Sequence, residues 1–304
     1  MGKTRNTRST GNTRNDHAAG NSPGRRAAPS LRPGARERIA AGRAARKRTE
    51  RRRRLLALIA SVTAVLATVA ALATVKLTSA PATAGETPAP SRVVSQVMTV
   101  PAATLARVGE GQAVTALQTV RTPGPRLAID GKLAIVFVSE ESCPFCAAER
   151  WPLAVALSHF GTWTHLGTTR SAASDIYPDT ATLSFRAAGY RSADLTLRTT
   201  ELADNLGHPL QVQTPLDARL IGAYDVPPYV NSADQSGAVP FLDIGNHYIL
   251  AGAQYNPQVL AGLSAAQIAS QLKNPSSPVA KAVDGSAKVI ITAINQMLPP
   301  GARR

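Results

Sequence analysis

The stretch KLAIVFVS at residues 132–139, followed directly by EESCPFC at residues 140–146, decides the fold of this chain. The first part is a continuous apolar run rich in β-branched residues, which predicts a strand buried on both faces. The sequence after the second part, AAERWPLAVALSHF at residues 147–160, has the composition of a helix. The order strand, C-P-x-C, helix therefore predicts a pair of cysteines at the start of a helix that follows a buried strand.

The two cysteines of the chain, Cys143 and Cys146, are spaced for thiol chemistry. Pro144 between them suits the first helical turn, where its missing N–H removes no hydrogen bond. Cys143 then lies at the helix N-terminus, where backbone N–H groups and the helix dipole favour a thiolate. Cys146 lies one turn later on the same face, from which it could resolve a mixed disulfide. The pattern predicts a redox-active pair in which Cys143 attacks.

Other segments carry signals for the start or end of an element. A helix over PAATLARV, residues 101–108, is predicted to end at a glycine, and a two-residue turn is predicted between the strands FLDI and HYIL. Capping residues and prolines predict three more helices, the first ending near residue 225 and the last near residue 298. The residues that carry these signals are Gly109, Gly245-Asn246, Thr214-Pro215-Leu216-Asp217, Ser264 and Ser277-Pro278.

The amino-terminal third has a different character. Residues 1–54 hold 17 Lys and Arg against three acids and no aromatic residue, which predicts a disordered basic tail. Residues 55–75, LLALIASVTAVLATVAALATV, have no charge, and as a helix they would span about 31 Å, enough for a single transmembrane helix. Residues 76–92 are rich in Pro, Ala and Thr and are expected to form a linker, followed by a domain over residues 93–300.

The charges beside the apolar span predict its orientation. Ten Lys and Arg lie between Arg36 and Arg54, whereas the twenty residues after the span hold two. By the positive-inside rule the tail is expected in the cytoplasm and the domain outside it, on a single-pass cell-membrane anchor. A cleaved signal peptide is the alternative, since Ala82-Thr83-Ala84 resembles a cleavage site, but the tail and the span are both long for one.

The net charge of +15 resides almost wholly in the basic tail. The other 250 residues hold 17 basic and 16 acidic side chains, a net charge of +1. A body this close to neutral argues against nucleic acid as a partner. The basic tail is expected to contact anionic lipid at the inner leaflet instead.

These elements together resemble the thioredoxin-like superfamily. In its members a cis-proline precedes a strand and packs beside the C-x-x-C motif, and Val239-Pro240 ahead of FLDI looks like that element. The runs SCPFCAAERWPLAVALSHFGTW, SDIYPDT, VPFLDIGNHYILAGAQY and LAGLSAAQIA look more narrowly like an uncharacterised membrane-anchored family of bacteria and archaea with a thioredoxin-like core. The resemblance covers about residues 93–300. It implies an α/β fold with a mixed sheet flanked by helices. About 90 residues separate Cys146 from Pro240, more than a minimal thioredoxin needs, so residues 174–210 are expected to include an insertion of strand and loop.

The resemblance and the cysteine pair imply a membrane-anchored thiol–disulfide oxidoreductase outside the cytoplasm. Its substrates would be protein thiols or disulfides, which exchange with Cys143 and Cys146. Val239 and Pro240, with Pro144 and Phe145, would contact an extended substrate peptide. The chain has no flavin, nicotinamide or phosphate motif, so no cofactor is expected and a redox partner protein would exchange the electrons. Oxidation, reduction and isomerisation all stay open.

Two alternatives use the same cysteines differently. One is a non-catalytic thioredoxin-like binding module. The other is a copper or zinc site that adds a histidine, although the chain has no second cysteine pair and its histidines are scattered, so no metal is expected.

The other polar and aromatic residues of the motif have simpler expected roles. Glu140, Glu141, Glu149 and Arg150 are expected to be solvated charges, one of the acids being a candidate proton acceptor for Cys146. The aromatic side chains of Trp151 and Phe160 are expected to pack in the core.

The charge asymmetry gives a test of topology. A reporter that is active only outside the cytoplasm, fused after Arg304, should be active, because the positive flank holds the tail inside. The matched control is the same fusion with Arg51–Arg54 replaced by neutral residues, which should lower the reporter activity. A fusion that is active only with a cytoplasmic reporter would overturn the predicted orientation.

Overall fold

The computed structural model of the protein describes residues 85–304. The predicted basic tail (residues 1–54), the predicted transmembrane helix (55–75) and residues 76–84 of the predicted linker lie outside the described residues. Among residues 85–304, no helix combines the length and the apolar character needed to cross a membrane.

The described chain is a mixed α/β structure, as the sequence predicts. Its strands are β1 (Thr87–Pro88), β2 (Gln118–Thr119), β3 (Ala128–Ile129), β4 (Lys132–Ser139), β5 (Gly161–Thr164), β6 (Gly167–Arg170), β7 (Ala181–Ser184), β8 (Gly189–Ser192), β9 (Leu195–Glu201), β10 (Phe241–Ile244) and β11 (Tyr248–Ala251). Its helices are α1 (Ser91–Met98), α2 (Ala102–Val108), α3 (Pro144–Ser158), α4 (Pro215–Tyr224), α5 (Ala265–Gln271) and α6 (Pro278–Met297).

The buried strand β4 lies inside a six-stranded mixed sheet. β9 pairs with β4 in parallel over seven residue pairs, from Leu133↔Leu195 to Ser139↔Glu201. On the other side of β4 the order is β10, β11 and β2, all antiparallel to their neighbours, and β3 pairs with the start of β4. Seven of the eight residues of β4 are buried, which confirms the prediction from its apolar sequence.

Helix α3 follows β4 directly, packs against α6 and β7, and is buried on nearly all sides. Trp151 and Phe160 belong to the core, as predicted. The indole of Trp151 donates a hydrogen bond to the Ala181 carbonyl at 3.1 Å, so its one polar atom is satisfied inside the core.

The capping signals correctly predict where the other helices start. Thr214 and Asp217 form a reciprocal capping box at the start of α4, and Ser264 and Gln267 do the same for α5. Ser277 accepts a hydrogen bond from a backbone N–H of the first turn of α6.

The hairpin between β10 and β11 differs from the predicted two-residue turn. Ile244 pairs with Tyr248, so the loop contains three residues, Gly245, Asn246 and His247. The His247 N–H donates to the Ile244 carbonyl at 3.2 Å and closes this three-residue turn.

Residues 174–210 include the strands β7 and β8 and their loops, which lie outside the six-stranded sheet, but not all of this segment is an insertion. They include β9, which is an integral strand because it is the parallel neighbour of β4. The elements that lie outside the six-stranded sheet are the β5–β8 ribbon and the small sheet β1–β6–β7.

The domain begins before the predicted boundary at Val93. Thr87 and Pro88 pair with β6, and the Ala89 N–H donates to the Leu166 carbonyl at 2.9 Å. Helix α1 starts at Ser91 and buries Val93. Residues 85–92 therefore pack on the domain instead of forming a spacer.

Burial raises the pKa of several carboxyl groups, and in three of them it raises the pKa to about 7 or 8. The pKa of Glu149 and of Asp284 is raised to about 8, and that of Asp243 to about 7. Each side chain is fully buried and has at least one oxygen with no hydrogen-bond partner among the described residues. These groups favour the protonated form in the folded state.

The stability of the protein should therefore fall as the pH rises from about 5 to about 8. An unfolded carboxyl ionises near its ordinary pKa while the folded one keeps its proton, so the folded state binds more protons in this range. The free energy of unfolding should drop by up to about 1.4 kcal/mol per pH unit for each such group. Urea midpoints measured across the range should show this slope, and Glu149→Gln should flatten it.

The matched control is Glu110→Gln, which changes an exposed acid. It should leave the slope unchanged. An identical slope in Glu149→Gln and the wild-type chain would show that Glu149 does not hold a proton in the folded state.

Candidate functional site

Cys143 lies where β4 has ended and α3 begins. It is the N-cap of α3, and its Sγ accepts a hydrogen bond from the Cys146 backbone N–H at 3.3 Å. Pro144 occupies the first helical position and is buried, as predicted for a residue that needs no N–H partner. The Cys143 side chain is half-buried, so its sulfur is near the surface.

Val239 lies beside Cys143 although 96 residues separate them in the sequence. The Val239 carbonyl oxygen lies 3.6 Å from Cys143 Sγ, within reach of the thiol as a donor. The Val239–Pro240 peptide bond is cis, as the resemblance implied, and Pro240 is buried next to the first residue of β10. The structure thus brings Cys143, Val239 and Pro240 together across 96 residues of chain.

Cys146 is completely buried behind Cys143. Its Sγ accepts a hydrogen bond from the Glu140 backbone N–H at 3.4 Å. Both cysteines are free thiols in this structure.

The two thiols have opposite electrostatic environments. A side-chain hydrogen bond from Cys146 is the main cause that lowers the pKa of Cys143, and backbone N–H groups of the first helical turn add to it. Burial raises the pKa of Cys146 well above its ordinary value. Cys143 is therefore the thiol better suited to be a thiolate.

An aromatic pair lies next to the cysteines at the surface. Phe145 is 39% exposed, and its ring packs edge-on against Tyr177 with centroids 5.7 Å apart. The loop that carries Tyr177 is attached to the motif because the Ala172 N–H donates to the Ser142 carbonyl at 2.8 Å. Tyr177 belongs to the segment SDIYPDT, and no local signal in this segment places Tyr177 beside the cysteines.

A buried ion pair lies beneath the motif. Arg150 Nη2 is 2.6 Å from Glu201 Oε2, and Arg150 Nε donates to Glu201 Oε1 at 3.0 Å. Ser139 at the end of β4 joins the pair by donating to Glu201 Oε2 at 2.9 Å. Neither charged side chain is exposed, so the pair is a bidentate contact shielded from water.

The expectation that the charges of the motif are solvated is wrong for three of the four residues. Glu141, Glu149 and Arg150 are fully buried, whereas Glu140 is half-buried. Helix α3 is apolar around its whole circumference, and a helix of that kind is enclosed by the protein, together with any charge that it carries. This feature of the sequence could have identified Glu149 and Arg150 as buried.

Glu141, one of the candidate acids, precedes Cys143 by two residues. Its Oε1 accepts a hydrogen bond from Ser184 Oγ at 2.7 Å, and burial raises its pKa. Its Oε2 is buried with no hydrogen-bond partner among residues 85–304.

No group of three or more His, Cys, Asp or Glu side chains within residues 85–304 is arranged to hold a metal ion. His208 contacts Asp204 at 3.1 Å on the surface.

Comparison with models of protein families identifies the family of this chain. The sequence model of the family described as Domain of unknown function (DUF929) matches residues 118–296, which is more than half of the chain, and the chain belongs to this family. The matched residues include the cysteine motif and Val239-Pro240. No curated protein and no solved structure matches the chain.

The environments of the two thiols predict their order of reactivity. In the reduced protein Cys143 should be alkylated by iodoacetamide at least about tenfold faster than Cys146 at pH 7, since Cys143 has the lower pKa and the greater exposure. Peptide mapping after short exposure measures the two rates. Faster alkylation of Cys146 would reverse the assignment, and Cys143→Ser and Cys146→Ala identify the signal of each thiol.

Proposed function

We propose that this member of the DUF929 family is a thiol–disulfide oxidoreductase with a thioredoxin-like core. The observation that carries the proposal is the pairing of a half-buried Cys143, whose pKa is lowered at a helix start, with a buried Cys146 one turn behind it. This is the arrangement that thiol–disulfide exchange needs, a nucleophilic outer thiol and a second thiol protected from solvent.

The order of the elements supports a thioredoxin-like core. Strand β4 leads into α3, the chain returns in the parallel strand β9, and α4 then connects to β10 and β11, which are antiparallel. The cysteines start α3 and Val239-Pro240 precedes β10. This is the sequence of elements, with the proline beside the cysteine motif, that the resemblance implies.

The exchange proceeds in two substitution steps at sulfur. In the first, the Cys143 thiolate attacks a substrate disulfide, a Cys143–substrate disulfide forms, and the other substrate sulfur leaves as a thiolate that takes a proton from water. In the second, Cys146 loses its proton, which passes through water to the departing substrate sulfur, and attacks Cys143 Sγ. The Cys143–Cys146 disulfide forms and the remaining substrate sulfur leaves as a thiolate. The substrate gains two electrons and the cysteine pair loses them.

The direction of net flow depends on the redox partner. A substrate dithiol attacking the oxidised pair would run the same steps in reverse. We propose that a second protein exchanges electrons with Cys143 and Cys146, since the sequence has no motif for an organic redox cofactor.

The surface beside Cys143 suits an extended protein segment. Val239 is half-buried and offers backbone groups at the edge of the motif, as in β-type pairing with a peptide. The rings of Phe145 and Tyr177 form an apolar wall two residues after Cys143, and Ile176, which precedes Tyr177, is 74% exposed. We propose that residues beside the substrate cysteine contact this wall.

The charge pattern of the sequence supports a location outside the cytoplasm. We propose that the membrane anchor expected at residues 55–75 holds the domain there, where protein disulfides form and persist.

Reduction of insulin tests the proposal. With dithiothreitol as reductant, the protein should accelerate insulin precipitation, and Cys143→Ser should abolish the acceleration because it removes the attacking thiol. A wild-type protein that is no faster than Cys143→Ser would favour the non-catalytic binding module.

The Cys146→Ala variant tests the mechanism in cells. It should accumulate mixed disulfides through Cys143, visible as protein adducts that disappear on reduction, because no thiol remains to resolve them. The variant lacking both cysteines is the control and should form none. Adducts of equal yield in Cys143→Ala would contradict the assigned roles.

A further inference from the structure

We infer that Arg150 is a positioning residue that acts through Cys146, supplying a buried positive charge and an unused N–H donor to the Cys146 thiolate when it resolves the mixed disulfide. The inference rests on the proposed function and assigns a role that the two-cysteine mechanism leaves open. A buried thiol is difficult to ionise, and Cys146 is buried completely.

The position of Arg150 on helix α3 directs it toward Cys146. Arg150 follows Cys146 by four residues, so the two side chains lie on the same face of the helix. Side chains of a helix lean toward its N-terminus, which for Arg150 is the direction of Cys146.

Hydrogen bonds to the end of β4 also place Arg150 and Cys146 close together. The Ser139 hydroxyl accepts from Arg150 Nη2 at 3.3 Å, and the next residue, Glu140, donates its backbone N–H to Cys146 Sγ at 3.4 Å. The end of β4 therefore touches both the guanidinium and the sulfur.

Glu201 leaves one edge of the guanidinium unused. It accepts from Nε and Nη2 of Arg150, whereas Nη1 is buried with no hydrogen-bond partner among residues 85–304. Buried donors without partners are uncommon in folded proteins and call for an explanation. A thiolate formed at Cys146 during turnover would be an acceptor for such a donor.

The charges around Cys146 come from several elements. Cys143 and Arg150 belong to α3, Glu201 lies on β9, and Glu141 follows β4. Beyond them are Glu86 and Arg186, which interact electrostatically with Glu141.

Arg150 opposes the effect of burial on the pKa of Cys146, and a thiolate at Cys146 in turn raises the pKa of Arg150. Glu201 keeps Arg150 in place and offsets part of its charge.

The experiment uses the reduced full-length protein and 5,5′-dithiobis(2-nitrobenzoate) in a stopped-flow instrument. The first release of thionitrobenzoate reports attack by Cys143, at a rate proportional to reagent concentration. The second reports intramolecular attack by Cys146 on the mixed disulfide, at a rate independent of that concentration. The pH midpoint of the second phase is the pKa of Cys146 in the mixed disulfide.

Arg150→Met should raise the midpoint of the second phase by about one unit or more. Each unit by which the Cys146 midpoint rises should slow the second phase about threefold at pH 7. The fraction of Cys146 present as thiolate falls about tenfold per unit, while the nucleophilicity of that thiolate rises about threefold. Arg150→Lys keeps the charge and should keep the midpoint within about half a unit of wild type. Glu201→Gln should lower the midpoint, since it removes the offsetting carboxylate.

Loss of folding is controlled by the double variant Arg150→Met/Glu201→Met, in which apolar side chains replace both charges. It should show the slow second phase of Arg150→Met with native circular dichroism. The variant Glu141→Gln is measured in the same way. If the rate of the second phase falls in Glu141→Gln and not in the Arg150 variants, proton transfer is assigned to Glu141 and the inference is overturned. A wild-type midpoint in the double variant would also overturn it.

The outcome is distinct from a failure of the proposed function. The reagent reports on the thiol pair whether or not the protein turns over a protein disulfide. If insulin reduction fails and the midpoint still depends on Arg150, the proposed function is wrong and the role of Arg150 in the pair stands.

Discussion

β4 and β9 run parallel over seven residue pairs, so the chain must leave the end of β4 and cross a face of the sheet before it can return. Helix α3 begins that crossing, which puts its N-terminus, and with it Cys143, at the edge of the sheet where β4 ends. β10 is antiparallel to β4, with Phe241 opposite Val138, and therefore begins at this same edge. Val239, two residues before Phe241, reaches Cys143 for that reason.

The buried contact between Arg150 and Glu201 fastens this crossover. It joins α3 to the last residue of β9, at the point where Glu201 pairs with Ser139 of β4. A charge in the interior is tolerated because its partner is close and the hydrogen bonds are bidentate, and removal of one partner typically costs about 3–5 kcal/mol. An apolar pair could hold the helix equally well, so stability alone does not account for two charges under a thiol.

The sequence predicts those parts of the fold whose signals are local. The apolar run of β4, the start of α3 at Pro144 and the capping boxes of α4 and α5 each depend on a few neighbouring residues, and all are confirmed. The pairing of β9 with β4 was missed because the two strands are some 60 residues apart and the polar sequence of β9, LTLRTTE, lacks the continuous apolar run that identifies β4. The burial of Arg150 was missed because a charged side chain is usually exposed, whereas the apolar residues around Arg150 on α3 enclose the whole helix.

In the candidate site, too, some features follow from local sequence and others depend on the whole fold. The cysteine spacing predicts which thiol lies at the helix start, but the difference between the thiols depends on depth, and depth depends on the whole fold. Cys143 caps the helix at the surface, where N–H groups of the first turn favour its thiolate. One turn inward, the same helix buries Cys146 and raises its pKa. A single helix start thus activates one thiol and suppresses the other, and any group that ionises the inner thiol must itself be buried, as Arg150 is.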